Sequence, residues 1–136
     1  MSLVVDASVA LKWVLAEPGQ VAADALLDEN LIAPSLWLLE AANALWRRAK
    51  RGELSADEAA EHLSELFNAP VTAIPIEEDL QAAAMLAQRL GHPVYDCLYL
   101  ALAVRERTQV VTADRRFWTV VQNRQELATH VRLLEA

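Results

Sequence analysis

The sequence predicts an α/β fold, with a mainly parallel central sheet and helices on both faces. Three observations point there. Short apolar runs suited to strands alternate along the chain with segments of helical period. The Pro and Gly breakers fall mostly between those segments, as expected of one compact domain over residues 1–136. Finally, "HPVYDCLYLALAV", His92 to Val104, is apolar nearly all round at helical spacing, so this helix belongs in the interior.

Taken in order, "LVV" at Leu3 to Val5 is a short buried strand. "SVALKWVLA" then reads as a helix, ended by "EPG", Glu17 to Gly19. Gln20 to Asp28 forms a second short helix, and "LIAP" the next strand, stopped by Pro34. A long helix runs from Ser35 to Arg51; Lys and Arg occupy its last turns, where the dipole favours them, and Gly52 follows. "SADE", Ser55 to Glu58, is a capping-box signature that opens a helix to about Asn68. "VTAIPI", Val71 to Ile76, suits an edge strand, because Pro75 has no donor for a ladder. Glu78 to Leu90 is a helix stopped by "GHP", and the greasy helix follows. "QVVT" is a strand, a short helix starts near Arg115, and "HVRLL" makes a final strand.

A chain of 136 residues is long enough to bury a core without disulfides or metal staples. The hydrophobic fraction is 54% and the charged fraction 23%, a globular balance. One cysteine, Cys97, excludes a disulfide framework and a thiolate metal site, and suits a reducing cytoplasm. The N-terminal segment meets Asp6 and Lys12 early and lacks the pattern of a signal peptide. No run approaches the roughly 18 uninterrupted apolar residues of a membrane span. We therefore expect a cytoplasmic protein with no membrane role. The formal charge of −7 argues against binding nucleic acid by bulk charge, while leaving room for a local basic patch or a basic partner.

Two segments rhyme: "LVVDAS" and "QVVTAD" each run a strand straight into an aspartate, Asp6 and Asp114. In parallel α/β sheets, ligand sites lie beyond the carboxyl ends of strands, at a switch point between neighbours. Either aspartate alone is equally consistent with a helix N-cap. In "LWLLEAANALW", Leu36 to Trp46, the only polar residues are Glu40 and Asn43, three apart on one face that Arg47 continues. Asp96 sits in the greasy helix, where a lone buried carboxylate costs several kcal/mol unless something compensates it.

Asp6, Glu40, Asp96 and Asp114 are the carboxylates set in apolar context; most other acids fall in stretches that look solvated, such as "DEN", "ADEAAEHLSE" and "EED". Brought together, four carboxylates repel by well over about 1 kcal/mol per close pair. A hard divalent cation resolves that repulsion, and Mg²⁺ prefers oxygen ligands shared between a few carboxylates, waters and substrate phosphates. Such an ion activates water and stabilises the leaving oxygen of a phosphodiester displacement. His62, His92 and His130 are scattered without ligand spacing and read as structural or exposed.

At these residues the chain resembles the PIN-domain family and, within it, the VapC-type toxins of toxin–antitoxin pairs. The matching segments are "VVDASVALKWVL", "APSLWLLEAANALWRRAKRGELS", "PVYDCLYLALA" and "VVTADRRF", in family order over essentially the whole chain. The resemblance implies a five-stranded parallel sheet and a Mg²⁺- or Mn²⁺-dependent ribonuclease with acidic ligands at Asp6, Glu40, Asp96 and Asp114. It implies supporting or substrate-orienting roles for Ser8 and Thr112; Ser8 as a helix cap and Thr112 as a strand-end residue are the plainer alternatives. Asn43, Arg47 and Arg115 are further candidates for contact with substrate, as are the basic runs Arg47 to Arg51 and Arg115–Arg116 generally. Some relatives carry another acid where this chain has Arg116. The resemblance also implies a homodimer and a small antitoxin that inserts a basic side chain into the acidic pocket. Trp13 and Trp46 are candidates for partner contacts or for the core.

Three rival readings are weaker. A receiver domain wants an acidic pair after its first strand and has no use for Asp96. A haloacid-dehalogenase-type phosphatase needs a second aspartate where Ser8 stands. The non-enzymatic alternative is a catalytically silent PIN-like RNA-binding or interaction module, which has no reason to keep four costly carboxylates.

Overall fold

Five short runs, β-branched above all in β3 and β4, form the strands: Ser2–Val5 (β1), Asn30–Pro34 (β2), Val71–Ile74 (β3), Val110–Thr112 (β4) and Val131–Leu133 (β5). The computed structural model describes residues 2–135. All pairings are parallel, in the spatial order β3-β2-β1-β4-β5. Parallel neighbours need crossovers, and helices supply them: Ala7–Ala10 (α1), Gln20–Ala25 (α2), Trp37–Lys50 (α3), Ala56–Phe67 (α4), Glu77–Leu90 (α5), Val94–Arg105 (α6), Arg115–Gln122 (α7) and Gln125–Ala128 (α8). From β1 the chain steps outward to β2 and β3, then returns to β4 and steps the other way to β5. With right-handed crossovers these opposite directions put helices on both faces. The reversal makes a switch point between β1 and β4, whose carboxyl ends open a crevice.

The core is the buried face of each helix against the valines of the sheet. Val4, Val5, Val110 and Val111 are fully enclosed, with Tyr99, Phe117, Leu31, Leu45, Leu66, Leu100 and Leu102 around them. Helix α6 packs against β1, β2 and β4. Its run from Cys97 to Ala103 is buried without a break, which explains why its sequence lacks a polar face. Among the described residues no helix is long and apolar enough to cross a membrane.

Most expected elements stand within a residue or two of their predicted ends, and the capping box at Ser55 forms as read, with Ser55 and Glu58 bonded reciprocally. β3 is an edge strand as expected, though it ends at Ile74, before Pro75. Four expectations need correction. The first helix is one α turn followed by a 3-10 turn at Leu11–Trp13 and a bend, because Lys12 and Trp13 are held sideways. Lys12 Nζ donates to Pro18 O and Glu17, and Trp13 Nε1 donates to Ala23 O. The second helix keeps α geometry only to Ala25 and closes in a 3-10 turn at Leu26–Asp28, whereas β2 ends at Pro34 as expected. α8 was not expected; it is a single turn between Arg124 and Thr129, too short to carry a period. Finally, Asp79 of "EED" is buried, not solvated, and Arg105 grips both of its oxygens at 2.7 and 3.0 Å.

That last pair ties α5 to α6. Removing the guanidinium leaves a carboxylate buried and unpaired. Because Arg105 is itself partly open to solvent, Arg105→Ala should cost about 2 kcal/mol. Urea denaturation would read this as a lower midpoint at unchanged slope, and Arg105→Ala/Asp79→Ala should cost less than the sum of the single changes.

Candidate metal centre

Each of the four acids is delivered to the same end of the sheet by the element that precedes or carries it. β1 ends at Val5, so Asp6 stands at its carboxyl end and precedes the first turn of α1. β4 ends at Thr112, and Asp114 follows it as the N-cap of α7. Glu40 lies in the first turn of α3, and Asp96 in the first turn of α6 behind Pro93. Helices that return antiparallel to the strands present their N-termini at the strands' carboxyl ends, where partial positive charge favours carboxylates.

Asp6 is buried, and two hydroxyls bind one of its oxygens. Thr112 Oγ1 donates to Asp6 Oδ2 at 2.7 Å, and Ser8 Oγ donates to the same atom at 3.0 Å. Each hydroxyl in turn accepts a backbone N–H from the end of β4: Asp114 to Thr112, and Ala113 to Ser8, both at 3.0 Å. The two relays lock Asp6 to the neighbouring strand, and such linked bonds reinforce one another. Ser8 therefore does not cap the first helix, and Thr112 is more than a strand-end residue.

The other three acids repeat the pattern. Tyr99 OH donates to Glu40 Oε1, joining α6 to α3. His92 Nε2 stands 2.6 Å from Asp96 Oδ2. Asp114 Oδ1 accepts the backbone N–H groups of Arg116 and Phe117 at 3.0 and 3.3 Å. In every case one carboxylate oxygen is held by a protein donor. No hydrogen bond or ion pair among the described residues reaches the other oxygen of any of the four.

The carboxylates feel one another. Burial is the main cause pushing Asp6 up to about 6, and the Asp96 charge adds to it against the lowering effect of Thr112 and Ser8. Burial likewise pushes Glu40 up to about 7, with Asp6 and Asp96 contributing and the Tyr99 bond opposing. Asp96 is raised by burial and by Asp114, while His92 works in the opposite direction. Tyr99 is raised by burial and by the nearby Asp6 and Glu40 charges, so its hydroxyl stays a donor.

This donor set is all oxygen, anionic and strained by its own charge, which suits a hard divalent cation. Among the described residues no three acidic, His or Cys side chains close round a point tightly enough to hold an ion by themselves. Mg²⁺ commonly takes only one or two carboxylates and completes its shell with water and phosphate, so the looser ring fits it.

The remaining candidates lie outside this ring. Asn43 and Arg47 are exposed on α3, further along the face that Glu40 starts. Arg115 and Arg116 are exposed at the start of α7, and Arg115 lines a cleft of about 210 Å³ with Lys12 and Ala113. Trp13 packs on the core, whereas Trp46 is 56% exposed beneath the Lys50 ammonium. Two residues were missed. His92 is nearly enclosed and bonded to Asp96, not a bystander; because it precedes the extended N-cap Pro93, no helical spacing signalled the contact. Tyr99 was hidden among apolar neighbours, and its spacing of three from Asp96 was the only clue.

Comparison with known proteins agrees with this architecture. The family model described as PIN domain matches residues 3–121. Ribonuclease VapC3 of Pyrobaculum aerophilum is 38% identical over 120 residues, covering 85% of this chain and 92% of that protein. The crystal structure of PAE2754 from Pyrobaculum aerophilum matches with a TM-score of 0.71 at 24% identity, over 88% of this chain and 79% of that one, and speaks for the fold. On the family model and the VapC relative together, the chain belongs to the PIN-domain family, in its VapC-type branch.

Proposed function

We propose that the protein is a Mg²⁺- or Mn²⁺-dependent ribonuclease in which Asp6, Asp96 and Asp114 hold the ion and Glu40 holds the ion or its waters. The observation that carries this reading is the division of labour within each carboxylate, one oxygen fixed by a protein donor and the other left free. Bound there, the ion would lower the pKa of a water and so supply the nucleophile for phosphodiester hydrolysis. The chain's own part is to fix the acids, its hydrogen bonds offsetting part of the rise that burial imposes on Asp6, Glu40 and Asp96. The two hydroxyls orient Asp6, the N-terminus of α7 orients Asp114, and enclosure by α3 and α6 limits bulk water. Arg115 and Arg116 at the rim supply positive charge for RNA phosphates beside an otherwise acidic mouth. The nuclease acts as the toxin of a VapBC-type pair in the cytoplasm, as a homodimer under an antitoxin with a basic arm. The VapC relative supports the toxin reading, and the net charge of −7 suits a basic partner.

Asp6→Asn and Asp96→Asn should each reduce cleavage of RNA by at least about 100-fold while the fold survives. A gel-based RNA cleavage assay beside circular dichroism checks both halves. Wild-type rates in either variant would remove that residue from the site. Mn²⁺ titrated calorimetrically at near-neutral pH should bind the wild type and lose most of its affinity for Asp96→Asn.

Stability should depend on pH in the direction the raised carboxyls dictate. Between the ordinary carboxylate range and pH 6–7, folded Asp6 and Glu40 hold protons that the unfolded chain has released. Stability therefore falls as pH rises through that window. Asp6 alone should cost about 1 kcal/mol between pH 5 and pH 8. Glu40 adds less than its shift suggests, since it is partly open to solvent. Thermal melts in chelator should show the fall, Asp6→Asn should shrink it, and Mg²⁺ at pH 8 should reverse it.

A further inference from the structure

Asp96 and Tyr99 stand three positions apart on one face of α6, and His92 sits just before its N-cap, Pro93. Two of the three are donors, and each serves a different acid. His92 serves Asp96 within the same segment, and Tyr99 serves Glu40 across on α3. Neither donor is a surface accident. The His92 side chain is 7% exposed, and Tyr99 is fully enclosed.

His92 is also fixed from behind. Its ring packs on Phe117 with centroids 5.2 Å apart, and its backbone carbonyl accepts from the Cys97 thiol. Phe117 is the residue whose backbone N–H helps hold Asp114. One aromatic contact thus joins the mounts of two acids, Asp96 through the His92 ring and Asp114 through the start of α7. An ionised carboxylate only accepts, so Nε2 of His92 carries the proton in this bond.

We propose that His92 is a positioning residue for metal binding: it holds Asp96 Oδ2 so that Oδ1 is presented to the crevice, and Tyr99 does the same for Glu40. This inference rests on the metal-dependent reading above. Partners that orient metal-binding groups typically change affinity or activity by about 10–100-fold when lost. A purely structural ring would instead be replaceable by any ring of its size.

Two substitutions separate these roles. His92→Phe keeps an aromatic ring against Phe117 and removes the donor, whereas His92→Gln keeps an amide N–H at similar reach and removes the ring. Calorimetric Mn²⁺ binding to the full chain is read first, then cleavage of single-stranded RNA, with thermal melts in chelator as the control. For His92→Phe we expect Mn²⁺ affinity to fall about 10-fold or more, kcat to fall with it, and KM for RNA to stay within about 3-fold. His92→Gln should recover most of the lost affinity, although its melt is the lower of the two. Tyr99→Phe should weaken Mn²⁺ binding in the same sense with little change in the melt. If His92→Phe binds Mn²⁺ as the wild type does, the positioning role is overturned and only packing remains. A wild type that binds no Mn²⁺, with or without RNA, overturns the metal reading and this inference together.

Discussion

Four carboxylates gathered at the carboxyl end of a parallel sheet, Asp6 buried and the others half-buried, are the constraint to which the rest of this molecule answers. Left alone, the group would blow apart or take up protons, because burial and mutual repulsion both oppose ionisation. The fold meets this by giving each acid a donor from a different source. Asp6 has two side-chain hydroxyls, Asp114 the open N–H groups of a helix start, Glu40 a buried phenol, and Asp96 a buried imidazole. These bonds lower the cost without cancelling it, as the raised Asp6 and Glu40 show. The residual cost is what the proposed cation would relieve.

The sheet order makes the gathering possible. Only at the reversal between β1 and β4 do two strands send their following helices to opposite faces, leaving their ends uncovered. Asp6 and Asp114 exploit that gap, and the hydroxyls of Ser8 and Thr112 bridge it, so the same atoms that stabilise an acid also fasten the two central strands' ends together. Packing and chemistry are served by one set of contacts here. The same economy appears at Phe117, fully buried in the core yet in touch with the supports of two acids.

Much of this was legible in the sequence, and the reasons differ by element. Strands β1 and β4 announced themselves because buried parallel strands read as continuous apolar runs, here "LVV" and "VVT". The four acids stood out because a carboxylate among leucines and alanines is costly enough to need a purpose. Asp79 misled because its neighbours Glu77 and Glu78 are solvated, and periodicity in a polar stretch gives no warning that one position turns inward toward Arg105. The donors were harder to see than the acids. A tyrosine or histidine in an apolar run looks like core, and both are core; their hydrogen bonds depend on which helix lies opposite, which one-dimensional spacing does not encode. The partial unwinding after α1 was illegible for a similar reason, since it follows from Lys12 and Trp13 reaching backbone carbonyls beyond the turn.

The character of α6 now has a physical explanation that joins fold and site. A helix that crosses behind β1, β2 and β4 must be apolar on nearly every side, as it is from Cys97 to Ala103. Its N-terminal turn must nevertheless carry a charge at the crevice. The conflict is settled by position: Asp96 sits in the first turn, where the helix dipole and His92 support it, and the wholly apolar stretch begins only afterwards. Tyr99 then carries one polar atom a turn deeper, where Glu40 of α3 can meet it. Moving the aspartate one turn inward would strand a charge among Leu98, Leu100 and Leu102, with neither dipole nor imidazole beside it. The placement of a single acid thus reflects two demands at once, that the helix be buried and that the crevice be charged.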